Sequence, residues 1–260
     1  MNYNDRILLC GNGAGFMAVE CLAGVYRAFE EDGVIPGKVL SSSGSTLFAS
    51  LYYSVENIEW INNLMNSSKP GDFISFSPIS TAQTLLSKGN HMFKNDKVFE
   101  LLEENMTGNA SKRVTTSVTR NADWTSHMRQ VTPGWATAAT SIPFVFKPVK
   151  IAGELWFDGG ILNNLPVPTM KEAKEYERIY VFVAPPTHYI EKDTLICNLI
   201  DLLQAVMNRE IQQLKEIGFF NLPNVTVIQP ESDFGGGLLN WSPNFTLREK
   251  TYELTKEFLK

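Results

Sequence analysis

The chain has 260 residues, enough for one large domain or two small ones. Apolar residues make up 43% and charged residues 20%, the balance of a folded globular protein rather than a disordered one. The net charge, 23 − 28 = −5, provides no basic field for nucleic acid or an anionic membrane. The three cysteines, Cys10, Cys21 and Cys197, show no C-x-x-C spacing, which argues against a disulfide framework or a zinc site and fits a reducing compartment.

The start of the chain lacks the basic residues and long apolar core of a signal peptide. No window approaches the ~18 apolar residues of a membrane-spanning helix. The expectation is therefore a cytoplasmic protein, with any membrane contact transient and peripheral. Residues 6–10 predict a short buried strand, followed by Gly11-Asn12-Gly13-Ala14-Gly15. Residues 16–31 predict a helix, with apolar side chains at Val19, Leu22, Ala23, Tyr26 and Phe29 and a stop at Asp32-Gly33. A second strand at 39–40 and a second helix at 44–53 complete the opening of an α/β fold with a parallel sheet.

The stretch from 66 to about 111 is rich in Ser, Asn, Lys and Gly, with apolar bursts at Phe73-Ile74-Ser75-Phe76 and Met92-Phe93. It reads as a lid or insertion, with short helices at 81–87 and 98–103. Strands follow at 114–118, 155–157, 179–183 and 225–228, and helices at 195–217 and 247–259. With no repeat and no linker, residues 1–260 read as a single domain.

Three clusters lie at the C-terminal ends of predicted strands, where open α/β sheets place their sites. Gly11 to Gly15 allows backbone N–H groups to approach an anion at a helix N-terminus. A dinucleotide site would use the same turn, but it needs an acid at the end of the second strand, and that strand ends in Ser41-Ser42-Ser43. Those serines, with Gly44 and Ser45, fit a nucleophile elbow with Ser43 as candidate; serine-rich capping explains Ser45 equally well. Trp156-Phe157-Asp158-Gly159-Gly160 projects a carboxylate among residues of little bulk, although Asp-Gly is also a hairpin signal. The Asn163-Asn164-Leu165-Pro166 continuation is not needed by a hairpin. His91, His127 and His188 lie in contexts unlike that of a triad histidine, which leaves a serine activated directly by a carboxylate.

These residues resemble the patatin-like phospholipases and the related cytosolic phospholipases of the A-two type. Gly11 to Phe16 is similar to the cytosolic branch's G-S-G-G-G-F-R loop, and Ser41 to Thr46 to its G-L-S-G-S-T motif. Asp158-Gly159-Gly160 with Asn164-Leu165-Pro166 resembles the patatin D-G-G/A motif and its N-L-P tail. Ala139 to Pro143 resembles the stretch before the catalytic aspartate. The motifs fall in family order over roughly residues 6 to 185. The resemblance implies a three-layer fold with a central, mostly parallel sheet flanked by helices. It also implies a Ser43–Asp158 dyad and an oxyanion loop from Gly11, Asn12, Gly13, Ala14 and Gly15. A lipid or other acyl ester would be the substrate, with no cofactor or metal. Met17, or Ala14 in the other alignment, stands where the family carries a basic residue, which keeps open a catalytically silent relative that binds lipid or protein.

Overall fold

Alternation within the first apolar run decides the layering. In β1 (Tyr3–Gly11), Ile7 and Leu9 face one core while Leu8 and Cys10 face another. In β10 (Arg178–Phe182), Tyr180 and Phe182 join the first core, and Ile179 and Val181 the second. Strands buried on both faces belong in the middle of a parallel sheet covered by helices. A computed structural model describes residues 3–73, 75–76, 91–185, 195–231 and 243–260, and shows that arrangement.

The remaining strands are β2 (Ile35–Ser41), β3 (Ser75–Phe76), β4 (His91–Lys94), β5 (Val114–Arg120), β6 (Thr125–Gln130), β7 (Phe144–Phe146), β8 (Val149–Ile151), β9 (Glu154–Asp158) and β11 (Val225–Ile228). The main sheet runs β11-β10-β1-β2-β5-β9-β8, with β6 added on β5, and is parallel from β11 to β5. A small second sheet has the order β3-β4-β7. The helices are α1 (Gly15–Glu31), α2 (Ser43–Val55), α3 (Ile58–Ser67), the single turn α4 (Pro70–Phe73), α5 (Asp96–Asn105), α6 (Gly108–Arg113), α7 (Pro133–Ala139), α8 (Leu195–Glu216) and α9 (Phe245–Leu259). Side chains from α1, α2, α3, α5 and α9 pack on the first face, and Ile211 of α8 with Leu165 and Phe219 on the second.

The three-layer α/β fold expected from the sequence is thus observed, with longer elements than the pattern indicated. β2 begins at Ile35 because Pro36-Gly37 masks its first half. A Cβ on Gly37 would lie 2.5 Å from the Cα of Asp5, so glycine is what permits β1 and β2 to close there. Helix α3 was not expected. Asn57 caps it by accepting the Trp60 N–H at 3.0 Å, and Ile58, Ile61 and Met65 form its buried stripe. The chain's last helix is anchored by an ion pair: the Arg248 guanidinium meets Glu20 Oε2 at 2.7 and 3.0 Å.

Within the stretch read as a lid, Phe73 is buried against Phe16 of the core, ring centres 6.0 Å apart. Phe93 packs on Phe146 at 6.1 Å. The expected helix at 81–87, the side chains of Phe76 and Met92, and His188 lie outside the described residues.

One pairing positions the site. One edge of β5 is taken by β6. Its other edge is divided, with Thr116 opposite Ser41 of β2 and, two residues on, Val118 opposite Asp158 of β9. The last residue of β9 therefore sits just past the C-terminal end of β2, where the chain turns into α2.

Candidate active site

The turn from β2 to α2 is one residue long. Ser42 is extended (φ −138°, ψ 151°) and Ser43 enters the left-handed region at φ 49°. A side chain other than glycine held there signals local backbone strain. The turn is held by Ser42 N–H donating to Gly11 O at 3.2 Å and by Ser45 Oγ donating to Asn12 O at 2.6 Å. Ser41, which takes the place of the usual first glycine, is fully buried. Its hydroxyl meets Thr46 Oγ1 at 3.0 Å, and that oxygen meets Thr116 Oγ1 at 2.6 Å. This chain of hydroxyls absorbs the extra polar atom.

Two glycines set how closely the pieces approach. A Cβ on Gly13 would stand 2.6 Å from Ser43 Cβ, and one on Gly44 would stand within bond-like range of Gly15 O. The glycine-rich turn therefore lies directly against the start of α2. Within that turn the donors are divided. Asn12 N–H donates to Phe182 O at 3.2 Å, and its Oδ1 accepts the Ala184 N–H at 2.8 Å. Gly13 N–H is shared between Asn164 O at 3.1 Å and Asn164 Oδ1 at 2.9 Å. Among the described residues, nothing accepts from the N–H of Ala14 or Gly15, which stand at the N-terminus of α1.

Asp158 is 2% exposed. Its Oδ1 accepts the Gly160 N–H at 2.8 Å, while Oδ2 completes no hydrogen bond. Burial pushes its carboxyl up to about 7, and the neighbouring Ser43 hydroxyl and the Gly160 N–H pull it part of the way back. The Ser43 hydroxyl is thus close enough to act on the carboxylate without closing a bond of normal geometry. Loose contacts of this kind are common in sites without substrate. Ser42 Oγ, Asp158 Oδ1 and Asn164 Oδ1 all lie within 3.3 Å of the point where a Cβ on Gly160 would be. Ser42 Oγ, Asp158 Oδ2 and Asn164 Nδ2 are buried without partners. Buried polar atoms without partners, gathered in one place, are the exception in folded proteins and call for a specific reason.

Glu210 is a neighbour of the site that sequence reasoning passed over, and Asn164 one for which it gave no role. Glu210, on α8, accepts the N–H groups of Asn164 and Leu165 on one carboxylate oxygen and so fixes the segment that holds Gly13. Burial raises its carboxyl pKa, and these two donors lower it. Asn164 lay within a recognised motif, but a residue 46 positions further on carried no local signal. Replacing Glu210 by Ala leaves both donors without an acceptor. We expect it to lower stability by about 1–3 kcal/mol, read from the urea midpoint at constant slope.

Beside Ser43, Gly15 and Gly44 opens a narrow cleft of about 40 Å³, walled by Phe16, Val19, Leu47, Val98, Ile142 and Phe146. Its described lining is apolar apart from Ser43, Asn95 and Thr140, and no histidine is among it. A polar reacting edge on an apolar pocket suits a molecule with one polar functional group and a hydrocarbon tail. Among the described residues no helix is long and apolar enough to cross a membrane.

No curated protein matches the chain. Among solved structures, the crystal structure of VipD from Legionella pneumophila is similar in fold, with a TM-score of 0.50 at 13% identity; the similarity covers 97% of this chain and 66% of that one. The family model described as patatin-like phospholipase matches residues 13–171, which include Ser43, Asp158 and Asn164. That match spans more than half the sequence, and the chain belongs to the patatin-like phospholipase family.

Proposed function

We propose that the protein is a lipid acyl hydrolase in which Ser43 is the nucleophile and Asp158 the general base. The observation that carries this reading is a serine on a strained elbow beside a buried carboxyl whose pKa stands near 7. A carboxylate of ordinary pKa, about 3.9, is a poor base toward a hydroxyl, and one near 7 is matched to neutral pH. Asp158 Oδ2 takes the Ser43 proton as Oγ attacks the ester carbonyl. The alcohol leaves with that proton, giving an acyl-enzyme. Water, deprotonated by Asp158, then releases the acid and restores Ser43.

Of the five residues in the glycine-rich turn, Gly11, Asn12 and Gly13 hold the backbone, and Ala14 and Gly15 supply the free N–H groups for the oxyanion. One such donor is worth about 2.7–4 kcal/mol. The N-terminus of α2 adds a favourable dipole beneath the developing charge. The acyl chain occupies the apolar cleft. The likeness of Gly11 to Phe16 and of Ser41 to Thr46 to the cytosolic A-two motifs supports a place nearer that branch.

Labelling tests this reading. Incubation with a fluorophosphonate adds one adduct to the intact mass of the wild type and none to Ser43→Ala. An unlabelled, folded wild type with no ester turnover would support instead a silent relative, the reading suggested by Met17, which packs against the core where the family carries a basic residue.

A further inference from the structure

A second groove lies beside the apolar cleft, and its local charge opposes that of the molecule. His91, Asp96 and Phe99 line one side, and Lys147, Lys150 and Leu155 line the other. Asn95 borders both spaces. Its side chain is buried, and Nδ2 donates to Ser141 Oγ at 2.5 Å and to Lys147 O at 3.1 Å, so it forms a fixed partition. Burial, followed by the charges of Lys147 and Lys94, presses the His91 imidazole toward its neutral form, with Asp96 opposing. Both ammonium groups are thus within electrostatic reach of the groove. Among the described residues none of Lys94, Lys147 and Lys150 forms a salt bridge. Two lining ammonium groups, Lys147 and Lys150, with Lys94 near enough to act on His91, outnumber the single lining carboxylate, Asp96, in a chain of net charge −5.

Cations left unpaired around a concave surface favour an anion. The apolar Phe99 and the partly exposed Leu155 beside them favour one attached to hydrocarbon or glycerol rather than a free ion. We propose that this groove binds the phosphodiester of an anionic lipid, with Lys147 and Lys150 on the phosphate and the ester reaching past Asn95 to Ser43. The proposal rests on the hydrolase reading and narrows it, naming an anionic phospholipid rather than a neutral ester as the substrate.

The test separates binding from turnover. Monomeric dihexanoyl phosphatidylglycerol is titrated calorimetrically into Ser43→Ala with and without Lys147→Glu/Lys150→Glu. The double reversal is expected to weaken binding about tenfold or more, the scale of losing two charged hydrogen bonds. With Ser43 present, the same double variant is expected to hydrolyse uncharged p-nitrophenyl butyrate at the wild-type kcat/KM. Unchanged lipid affinity, or a parallel loss of p-nitrophenyl butyrate turnover, would overturn the proposal. So would glycerol 3-phosphate binding as tightly as the lipid, since the groove would then be a site for free phosphate esters. If neither ester is turned over but the charge-dependent lipid binding remains, the hydrolase reading fails while the groove stands.

Discussion

Asp158→Asn is expected to lower kcat/KM for an ester by about 10²–10⁴-fold, the usual contribution of a general base, and to make the protein more stable above pH 7. Both effects follow from one carboxyl that is 2% exposed and pushed up to about 7. In the wild type the base must be ionised, so kcat/KM should rise with pH and level off above about 7. Stability runs the other way. The unfolded carboxyl titrates near 3.8 and the folded one near 7. Between these values the folded state binds more protons than the unfolded state. Stability is fully present below about 3.8, declines as pH rises through the window, and is lowest above 7. At 1.36 kcal/mol per pKa unit, the cost of holding that charge is at most about 4 kcal/mol. Asparagine keeps the acceptor for the Gly160 N–H and carries no charge to bury. Urea unfolding at pH 5 and pH 8 should therefore show the variant gaining more on the wild type at pH 8 than at pH 5. A variant that keeps its activity, or a flat wild-type profile from pH 5 to 9, would remove Asp158 from the mechanism.

Gly44→Ala is expected to cost at least about 10²-fold in kcat/KM while leaving a folded protein. The new methyl would collide with Gly15 O, a backbone atom that no side-chain rotation can clear. Either α2 or the glycine-rich turn must shift by a large fraction of an ångström. Ser43 and the free N–H groups of Ala14 and Gly15 sit on opposite sides of that contact, so the shift separates nucleophile from oxyanion donors. A misplacement of about 1 Å costs on the order of 10²-fold. Overpacking adds a stability loss of about 1–3 kcal/mol. Circular dichroism and fluorophosphonate labelling would distinguish a displaced site from an unfolded chain. Wild-type kinetics with an unchanged melting temperature would show that the contact is not needed.

The opening order β1-α1-β2-α2 was legible because it depends on local pattern. Short apolar runs followed by glycine or serine turns mark β1 and β2, and helical spacing marks α1. Ser43 and Asp158 stood out because each ends a strand. Even α3 had a signal, Asn57 followed by Ile58, Ile61 and Met65, that was left unread beside the polar stretch after it. What could not be read is set by contacts between distant parts of the chain. The Gly13 N–H goes to a residue 151 positions away, and Glu210 reaches the same asparagine from another helix. No periodicity encodes such pairings. They decide which N–H groups of the turn remain without an acceptor, and they separate Ala14 and Gly15 from Gly11, Asn12 and Gly13. The lysines of the second groove show the same limit. Lys147 and Lys150 are unremarkable in the sequence until His91 and Asn95, some fifty residues earlier, are folded against them.

The divided edge of β5 also has a consequence during synthesis. Val118 receives Asp158 only after β9 has been made and docked beside β2, and the clamp from α8 comes later still. A nascent chain extending to Lys150 already holds the glycine-rich turn and Ser43, but it has no carboxylate to take the proton. If Asp158 is the base, the growing polypeptide gains hydrolytic competence only once β9 has docked, long after Ser43 has been made.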